Sequence, residues 1–447
     1  MPSPDLFPQF VAQLPDNWQD KALSVGLSGG MDSVVLLHLL CRTRVAQNWQ
    51  LTAVHVHHGL NSQADDWLIF CQKLCTDWQV DFVAQKVQVH SADLGLEAAA
   101  RQARYAVFAQ QQTDVLALAH HLNDQLETYF LAALRGGGIR ALSAMPVQRE
   151  WLPHSFRLPE NTFPSLSGSL ESTHNPIIWR PLLSFSREAI AHYAQQYDLK
   201  WVEDSSNADT QYLRNWLRHD VLPHIQQRLP QLAAHISGSI AQLQDDLAIL
   251  NEVLREDEAR ISDEYGRLHI TQWQALSSVR RRQQLLRFAQ KHDLGTPTRH
   301  SIVDFERIVL KAKTAEWALP KGKAVLYQGM LFAWQNHLAE RCLWCRQTFS
   351  GSLMELAADL NMTLGDALPE STRNSIFHVR VARRDDVFVW ADGHRKQVFR
   401  FLREQGIPPF MRAYWAVVCD DTGQCVGVVN LWGNLLYSQA LRTFQAA

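Results

Sequence analysis

Residues 24–40 read SVGLSGGMDSVVLLHLL, and the order of residue types in that stretch decides the fold. To its left, residues 22–27 form a short apolar run that reads as a buried strand. To its right, Val34, Val35, Leu37, His38 and Leu39 fall at helical rather than strand spacing. Between the two stands Ser28-Gly29-Gly30-Met31-Asp32-Ser33. A strand, a glycine turn and the start of a helix together make a pocket of backbone N–H groups at the positive end of a helix dipole, which is a place for phosphate.

Outward from that loop the chain alternates. Residues 51–57, 81–89 and 115–120 read as strands, and 63–78, 96–111 and 122–135 as helices. This rhythm predicts right-handed βαβ units and an α/β fold with a doubly wound parallel sheet covered on both faces. Open sheets of this kind take ligands at the carboxyl ends of their strands. The 28–33 loop and residues 55–59 and 120–124 all fall at such ends, so three candidate segments converge on one edge.

Residues 144–179 are rich in Pro, Ser, His and Asn with little periodicity, and read as a long functional or mobile insertion. Helices are expected over 186–197 and 211–221, a boundary around Pro223 and Pro230, and a long helix over 231–261. Residues 277–313 are helical and basic, with nine Lys or Arg against three Asp or Glu, a local +6. A second boundary falls over 335–351. The tail then predicts strands at 377–381, 416–419 and 425–431 and a helix at 397–405. The division expected is a nucleotide-binding domain over 1–222, a mainly helical domain over 223–335 and a small α+β domain over 352–447. No internal repeat or low-complexity tract is present.

The 447 residues are 46% hydrophobic and 20% charged, an ordinary globular composition. The net charge of −2 means that any nucleic-acid contact must come from local patches. The N-terminal stretch MPSPDLFPQFVAQLPDNW lacks the charged and apolar regions of a signal peptide, and no run is long enough to cross a membrane. Seven scattered cysteines argue against a disulfide framework and for a reducing cytoplasm. Cys342 and Cys345 form a lone Cys-x-x-Cys without a second pair in zinc spacing, and read as free thiols.

Four readings compete for the 28–33 loop. A Walker loop ends in Gly-Lys-Ser/Thr, and no lysine is present; a dinucleotide loop needs Gly-x-Gly-x-x-Gly, also absent. A purely structural glycine turn is the third. The fourth is a Ser-Gly-Gly-x-Asp-Ser pyrophosphate loop, in which Gly29 and Gly30 admit the phosphates to the backbone and Ser28 and Ser33 offer hydroxyls. Asp32 would repel phosphate unless a cation stands between them, so this reading brings magnesium with it. The loop resembles that of the PP-loop ATP pyrophosphatases, which cleave ATP between the α and β phosphates and place AMP on a substrate.

Two further segments bear on that reading. LALAHHLNDQLETYF puts His120, Asp124 and Glu127 at i, i+4 and i+7 on one helix face, where two carboxylates can hold a hard cation; a solvated helix start near the dipole is the bland alternative. Metal hydrolysis is the rival chemistry, helped by His55, His57, His58, His120 and His121, but their spacings match no zinc set and some of these rings belong to backbone groups at strand ends. GLEAAARQARYAVFA places Arg101 and Arg104 on a helix, either as a surface partner of Glu97 or as a cation that offsets charge on the α-phosphate.

The combination resembles the tRNA(Ile)-lysidine synthetases. SGGMDS, VHVHHGL, GLEAAARQARY, AHHLNDQLET, LRGGG, RPLL and WVEDSSNADTQYLRNWLRHDVLP carry the likeness over roughly residues 20–225. The tail segment VRVARRDDVFVWADGHRKQVFRFLREQGIPPFMR resembles the family's C-terminal domain more loosely, with Asp385-Asp386 where that domain usually has Gly-Asp. The resemblance implies an adenine nucleotide alpha hydrolase-like fold and a ligase of the cytoplasm. It adenylates the C2 oxygen of the wobble cytidine of a CAU-anticodon isoleucine tRNA, and free L-lysine then displaces AMP. Ser28, Gly29, Gly30, Met31, Asp32 and Ser33 are the expected ATP contacts. Asp32, Arg101, His120, Asp124 and Glu127 are the expected catalytic group, with Asp32, Asp124 and Glu127 as magnesium ligands. His120, Asp124 and Asp204 stay open as the base; Asp204 alternatively binds the lysine ammonium or caps a turn. Arg380, Lys396, Arg400 and Arg403 are the expected tRNA contacts. Two other classes stand beside this one: a PP-loop tRNA thiolase, which would need catalytic-domain Cys-x-x-Cys chemistry, and a non-catalytic RNA-binding module, which would need no magnesium-ready loop.

Overall fold

In the computed structural model the described residues are 6–15, 17–59, 63–88, 96–111, 113–151, 176–204, 209–263, 266–336, 349–351, 376–389, 395–404, 406–429 and 435–437. Cys342, Cys345 and most of the 144–179 insertion lie outside them. The chain divides into two compact units, Met1–Asn251 and Glu252–Ala447.

The first unit is built on a six-stranded sheet ordered β3-β2-β1-β4-β6-β5. Its strands are β1 (Ala22–Gly26), β2 (Gln50–His57), β3 (Asp81–Lys86), β4 (Val115–Ala117), β5 (Gln148–Glu150) and β6 (Ile177–Trp179). All pairs are parallel except β5 with β6. Side-chain alternation sends Leu23, Val25, Ala53, Val115 and Ala117 to one face. There they pack on α1 (Leu6–Val11), α2 (Met31–Gln47), α3 (Ala64–Asp77) and α7 (Arg187–Gln196). Val54, Leu116, Leu118 and Ile178 go to the other face, under Tyr105 and Phe108 of α4 (Leu96–Phe108). This is the doubly wound α/β architecture expected from the alternation. The strand order reverses direction at β1, so the carboxyl ends of β1 and β4 flank a crevice. β4 is shorter than expected: Leu118 N–H still bonds Trp179 O at 2.9 Å, but the chain then turns into α5 (Leu122–Leu134).

After α5 and the short α6 (Ile139–Leu142), β5 and β6 close the insertion as an antiparallel pair. Pro223 does not mark a break. It sits in the first turn of α9 (Leu222–Arg228), directly after a π turn that breaks the regular helical bonding. α9 continues α8 (Leu213–Trp216) through a π turn, Leu217–Val221, and α10 (Leu232–Ile261) follows.

In the second unit, beside the helices expected for 223–335, stands a four-stranded antiparallel sheet ordered β7-β10-β9-β8, which is not among the elements expected from the sequence. It comprises β7 (Leu268–His269), β8 (Ala315–Leu319), β9 (Gly322–Tyr327) and β10 (Met330–Gln335), with α11 (Ile270–Gln274) between β7 and α12. Trp317, Leu319, Ala324, Leu326 and Leu331 pack from it against α12 (Ser278–Lys291) and α13 (Arg299–Val309). A third sheet joins β11 (Phe349–Gly351), β12 (Phe377–Val381), β15 (Ala416–Cys419), β16 (Cys425–Val429), β13 (Val387–Val389) and β14 (Arg395–Gln397), with β17 (Leu435–Tyr437) on β16. α14 (Val398–Glu404) and α15 (Pro409–Arg412) contribute Val398, Phe401, Leu402 and Met411 to its core. Among the described residues no helix is long and apolar enough to cross a membrane.

Candidate active site at the end of the first strand

The 28–33 loop is held by its own side chains. Ser33 Oγ donates to Gly30 O at 2.8 Å and accepts the Ser28 N–H at 3.2 Å, while Ser28 Oγ accepts the Gly30 N–H at 3.3 Å. The serines therefore brace the loop rather than simply offering hydroxyls to a ligand. Gly29 has φ +89°, and a Cβ there would stand 2.9 Å from Val202 Cγ2 and 3.1 Å from Cys71 Sγ. The first helical bond of α2 runs from Val34 N–H to Gly30 O, 3.1 Å. The amides of Met31, Asp32 and Ser33 precede it and have no acceptor within the helix, the arrangement that receives phosphate oxygens.

Beside the loop stands a charged group. His121 Nε2 lies 3.7 Å from Asp32 Oδ2 and 3.6 Å from Asp124 Oδ2. Asp124 Oδ2 also accepts the His121 N–H at 3.0 Å, which closes the first turn of α5. Asp124 Oδ1 accepts from Arg214 at 2.8 Å and Arg218 at 3.3 Å. Glu127, with no exposed surface, accepts from Arg214 Nε and Arg218 Nε, each at 2.6 Å, and from Arg218 Nη2 at 3.1 Å. The two arginines are four residues apart, across the join of α8 and the π turn, and both reach α5.

These neighbours set the charge states. Burial works against ionised Asp124, but His121, Arg214 and His120 outweigh it and hold the carboxyl below its usual range. Burial likewise opposes charge on His121, yet Asp32 and Asp124 raise it above the ordinary imidazole value. His120 goes the other way: burial pushes it down to about 3, Asp124 opposes, and Arg180, Arg101 and Arg214 push further down. At neutral pH His120 is an uncharged ring and a weak proton acceptor.

Magnesium fits part of this donor set. Asp32 Oδ1 is buried with no hydrogen-bond partner among the described residues, a hard oxygen on the loop itself. Glu127 does not fit: both of its oxygens are spent on arginine, and Asp124 is engaged through both of its own. The expected three-carboxylate set is thus reduced to Asp32, with Asp124 beside it through His121. Magnesium commonly uses one or two carboxylates with the substrate's phosphates. Among the described residues no cluster of three His, Cys, Asp or Glu is placed to hold a metal, and His55 Nδ1 is instead 2.8 Å from Leu27 O, a strand-end backbone contact.

Arg101 is exposed on α4, its guanidinium 5.3 Å from the Tyr105 ring centroid and close enough to His120 to influence its charge. Asp204 follows Val202, whose N–H bonds Gly29 O at 3.0 Å, so the loop's own partner segment carries it. Sequence reasoning missed Arg214 and Arg218, and named His121 only among the histidines of the rival metal chemistry. The histidine was passed over for its neighbour, and the Arg-x-x-x-Arg spacing in QYLRNWLRHD was the available signal.

The expected RNA contacts fare unequally. Arg380 pairs with both oxygens of Asp386, at 2.7 and 2.8 Å, and is a strut inside the third sheet rather than a phosphate contact. Asp386 also accepts the Arg383 N–H at 2.6 Å. Lys396 and Arg400 share Glu404, and Arg403 is exposed at the end of α14. In the basic 277–313 region, Arg280 pairs with Asp257, Arg281 and Arg282 with Glu306, and Arg287 and Lys291 with Glu258. Two of its six excess charges are therefore offset by Asp257 and Glu258 of α10, which lie outside the counted window.

The fold and this loop define a PP-loop ATP-using protein, and residues 6–225 match the PP-loop domain model. Over almost its whole length the chain is similar to curated tRNA(Ile)-lysidine synthases. It is 36% identical to that of Neisseria meningitidis serogroup B over 95% of each chain, and 37% identical to that of Neisseria gonorrhoeae over 95% of this chain and 92% of the relative. It is 36% identical to that of Chromobacterium violaceum over 93% and 94%. The chain belongs to the tRNA(Ile)-lysidine synthase family.

Proposed function

We propose that this protein ligates free lysine to C2 of the wobble cytidine in a CAU-anticodon isoleucine tRNA, forming lysidine and switching the tRNA from methionine to isoleucine identity. The observation that carries this reading is the junction of helix-start amides with the unpartnered carboxylate oxygen of Asp32 beside His121 and Asp124, in a chain of this family. In the first step the cytosine C2 oxygen attacks the α-phosphate of ATP and pyrophosphate leaves. The amides of Met31, Asp32 and Ser33 hold the departing group, and Arg101 offsets charge on the phosphate in flight. Magnesium held at Asp32 would supply further charge neutralisation there. In the second step the ε-amine of lysine attacks C2, and AMP departs with the oxygen.

The amine must first lose a proton. His121 is better disposed for this than His120. Its Nε2 faces two carboxylates, so a proton held there leaves Nδ1 as acceptor, and Nδ1 is buried without a partner among the described residues. Asp204 is the proposed seat of the lysine ammonium. Residues 1–222 form the catalytic domain in this reading. Residues 223–335 and 352–447 grip the tRNA body, with Lys396, Arg400 and Arg403 among the phosphate contacts.

The test is incubation of purified protein with ATP, labelled lysine and total tRNA. Label retained in one isoleucine tRNA, with stoichiometric pyrophosphate, is expected. ATP turnover without label in tRNA would overturn the reading.

A further inference from the structure

One buried cation has no part in the chemistry described so far. Arg180, of the RPLL segment, is only 2% exposed at the carboxyl end of β6. Its Nη1 donates to Pro146 O at 2.8 Å, and its Nε is buried without a partner. Burial, and then the charges of Arg149 and Arg101, push this guanidinium down to about 10, with Tyr105 acting the other way. Among the described residues no carboxylate pairs with Arg101, Arg149 or Arg180. A buried charge left unpaired is expensive, and ordinarily a fold removes it or gives it a counterion.

The sheet explains why three arginines meet. Arg149 stands opposite Ile178 in the β5–β6 register, and Arg180 N–H bonds Val147 O at 2.8 Å. Arg149, Ile178 and Arg180 therefore share one face of the sheet. Ile178 packs there with Tyr105 and Trp151, beneath α4. Arg101 lies one turn before Tyr105 on that helix and leans over its ring. On the same face, Leu116 and Leu118 lead toward His120.

We propose that Arg149 and Arg180, with Arg101 at the rim, form an anion seat for a phosphodiester of the RNA strand next to the reacting nucleotide. This deepens, and rests on, the reading of RNA as the adenylated substrate. Position supports it. β6 lies two strands from β1, or about 10 Å at the usual ~4.8 Å spacing, which is displaced from the pyrophosphate held by the loop and suits a second substrate. Charge supports it too. A free amino acid also presents a carboxylate, but its α-ammonium would meet three guanidiniums and no acceptor carboxylate. A phosphodiester brings negative charge alone, and arginine matches its geometry.

The experiment measures binding of an isoleucine-tRNA anticodon stem–loop by fluorescence anisotropy over a salt series, without ATP or lysine. In parallel, half-saturation by ATP and by lysine is measured in turnover. Arg149→Ala is expected to weaken stem–loop binding about five- to tenfold and to make the log–log salt slope shallower by about 0.7, one phosphate contact. ATP and lysine half-saturation should stay unchanged, and Arg149→Lys should recover part of the loss. Arg180→Met should weaken binding similarly without lowering the melting temperature, because an uncompensated buried charge leaves with it. Should Arg180→Met fail to fold, the two Arg149 variants carry the decision. Wild-type affinity and slope in Arg149→Ala would overturn the seat, and so would a rise confined to half-saturating lysine, which would make it a carboxylate site. Because stem–loop binding is read without chemistry, a wild-type protein that binds the stem–loop but makes no lysidine would count against the proposed reaction and not against the seat.

Discussion

At the scale of single residues, Asp32 and Glu127 separate two roles that look alike in the sequence. Asp32 keeps a buried oxygen without a partner, whereas Glu127 is enclosed by Arg214 and Arg218. Asp32→Ala should abolish pyrophosphate release while melting temperature and tRNA binding stay near wild type, as measured by a coupled pyrophosphate assay and filter binding. Glu127→Gln should act on the fold instead. Removing one member of a buried ion cluster strands the others, at a cost of about 3 kcal/mol in urea unfolding. Full stability in that variant, with activity lost, would restore Glu127 to the chemistry. The loop that carries Asp32 is legible in the sequence because it is six contiguous residues. The enclosure of Glu127 is not, since its arginines arrive some ninety positions later and only the packing of α8 on α5 brings them in. Arg380 shows the same limit: Asp386 is six positions away, and a count of charges cannot tell a pair from a patch.

Among the elements, the loop shows what a motif leaves out. The sequence treats Gly29 and Gly30 as equivalents that admit phosphate. Gly29 has φ +89° with Val202 and Cys71 against it, while Gly30 is extended as the N-cap of α2, and its absent Cβ would meet nothing closer than Ser28 Oγ at 3.5 Å. Gly29→Ala is therefore expected to lower stability by about 1–3 kcal/mol from backbone strain and overlap, seen as a lower denaturation midpoint. Gly30→Ala should unfold like wild type, with any loss confined to half-saturating ATP. Equal destabilisation by the two would mean that the loop's shape is not set by Gly29. The βαβ rhythm was readable because each element is local and its apolar spacing repeats. The sheet β7-β10-β9-β8 is harder to see in the sequence because it flanks two helices whose strongly periodic faces dominate that stretch.

For the molecule as a whole, a net charge of −2 leaves any grip on a polyanion to local patches. Ending the chain at Gly351 should raise half-saturating tRNA strongly, flatten its salt dependence and leave ATP affinity unchanged; equal tRNA half-saturation by the two proteins would assign the tail another purpose. The second global property is response to acid. Burial pushes His38 and His58 down to about 4 and His120 to about 3, with Arg42 acting on the first and Arg104 on the second. His55 and His292 are also lowered, mainly by burial. Each of these rings binds a proton near pH 6.5 in the unfolded chain but not in the folded one, so the unfolded state gains protons first and stability falls as pH falls below about 6.5. The loss continues until the folded rings titrate. His121 is raised, so its contribution has the opposite sign, full below about pH 6.5 and lost as pH rises through its folded value, and it adds no slope to the interval below pH 6.5. Asp124, Glu258 and Asp386 are held below the usual carboxylate range, so their stabilisation persists to lower pH and cannot account for a decline above pH ~5. The melting temperature should therefore drop steadily from about pH 6.5 to about pH 5, before carboxylates titrate. Replacing His38 with glutamine should make that slope shallower, and a melting temperature that stays flat across the same interval would show that these rings are not held uncharged by the fold.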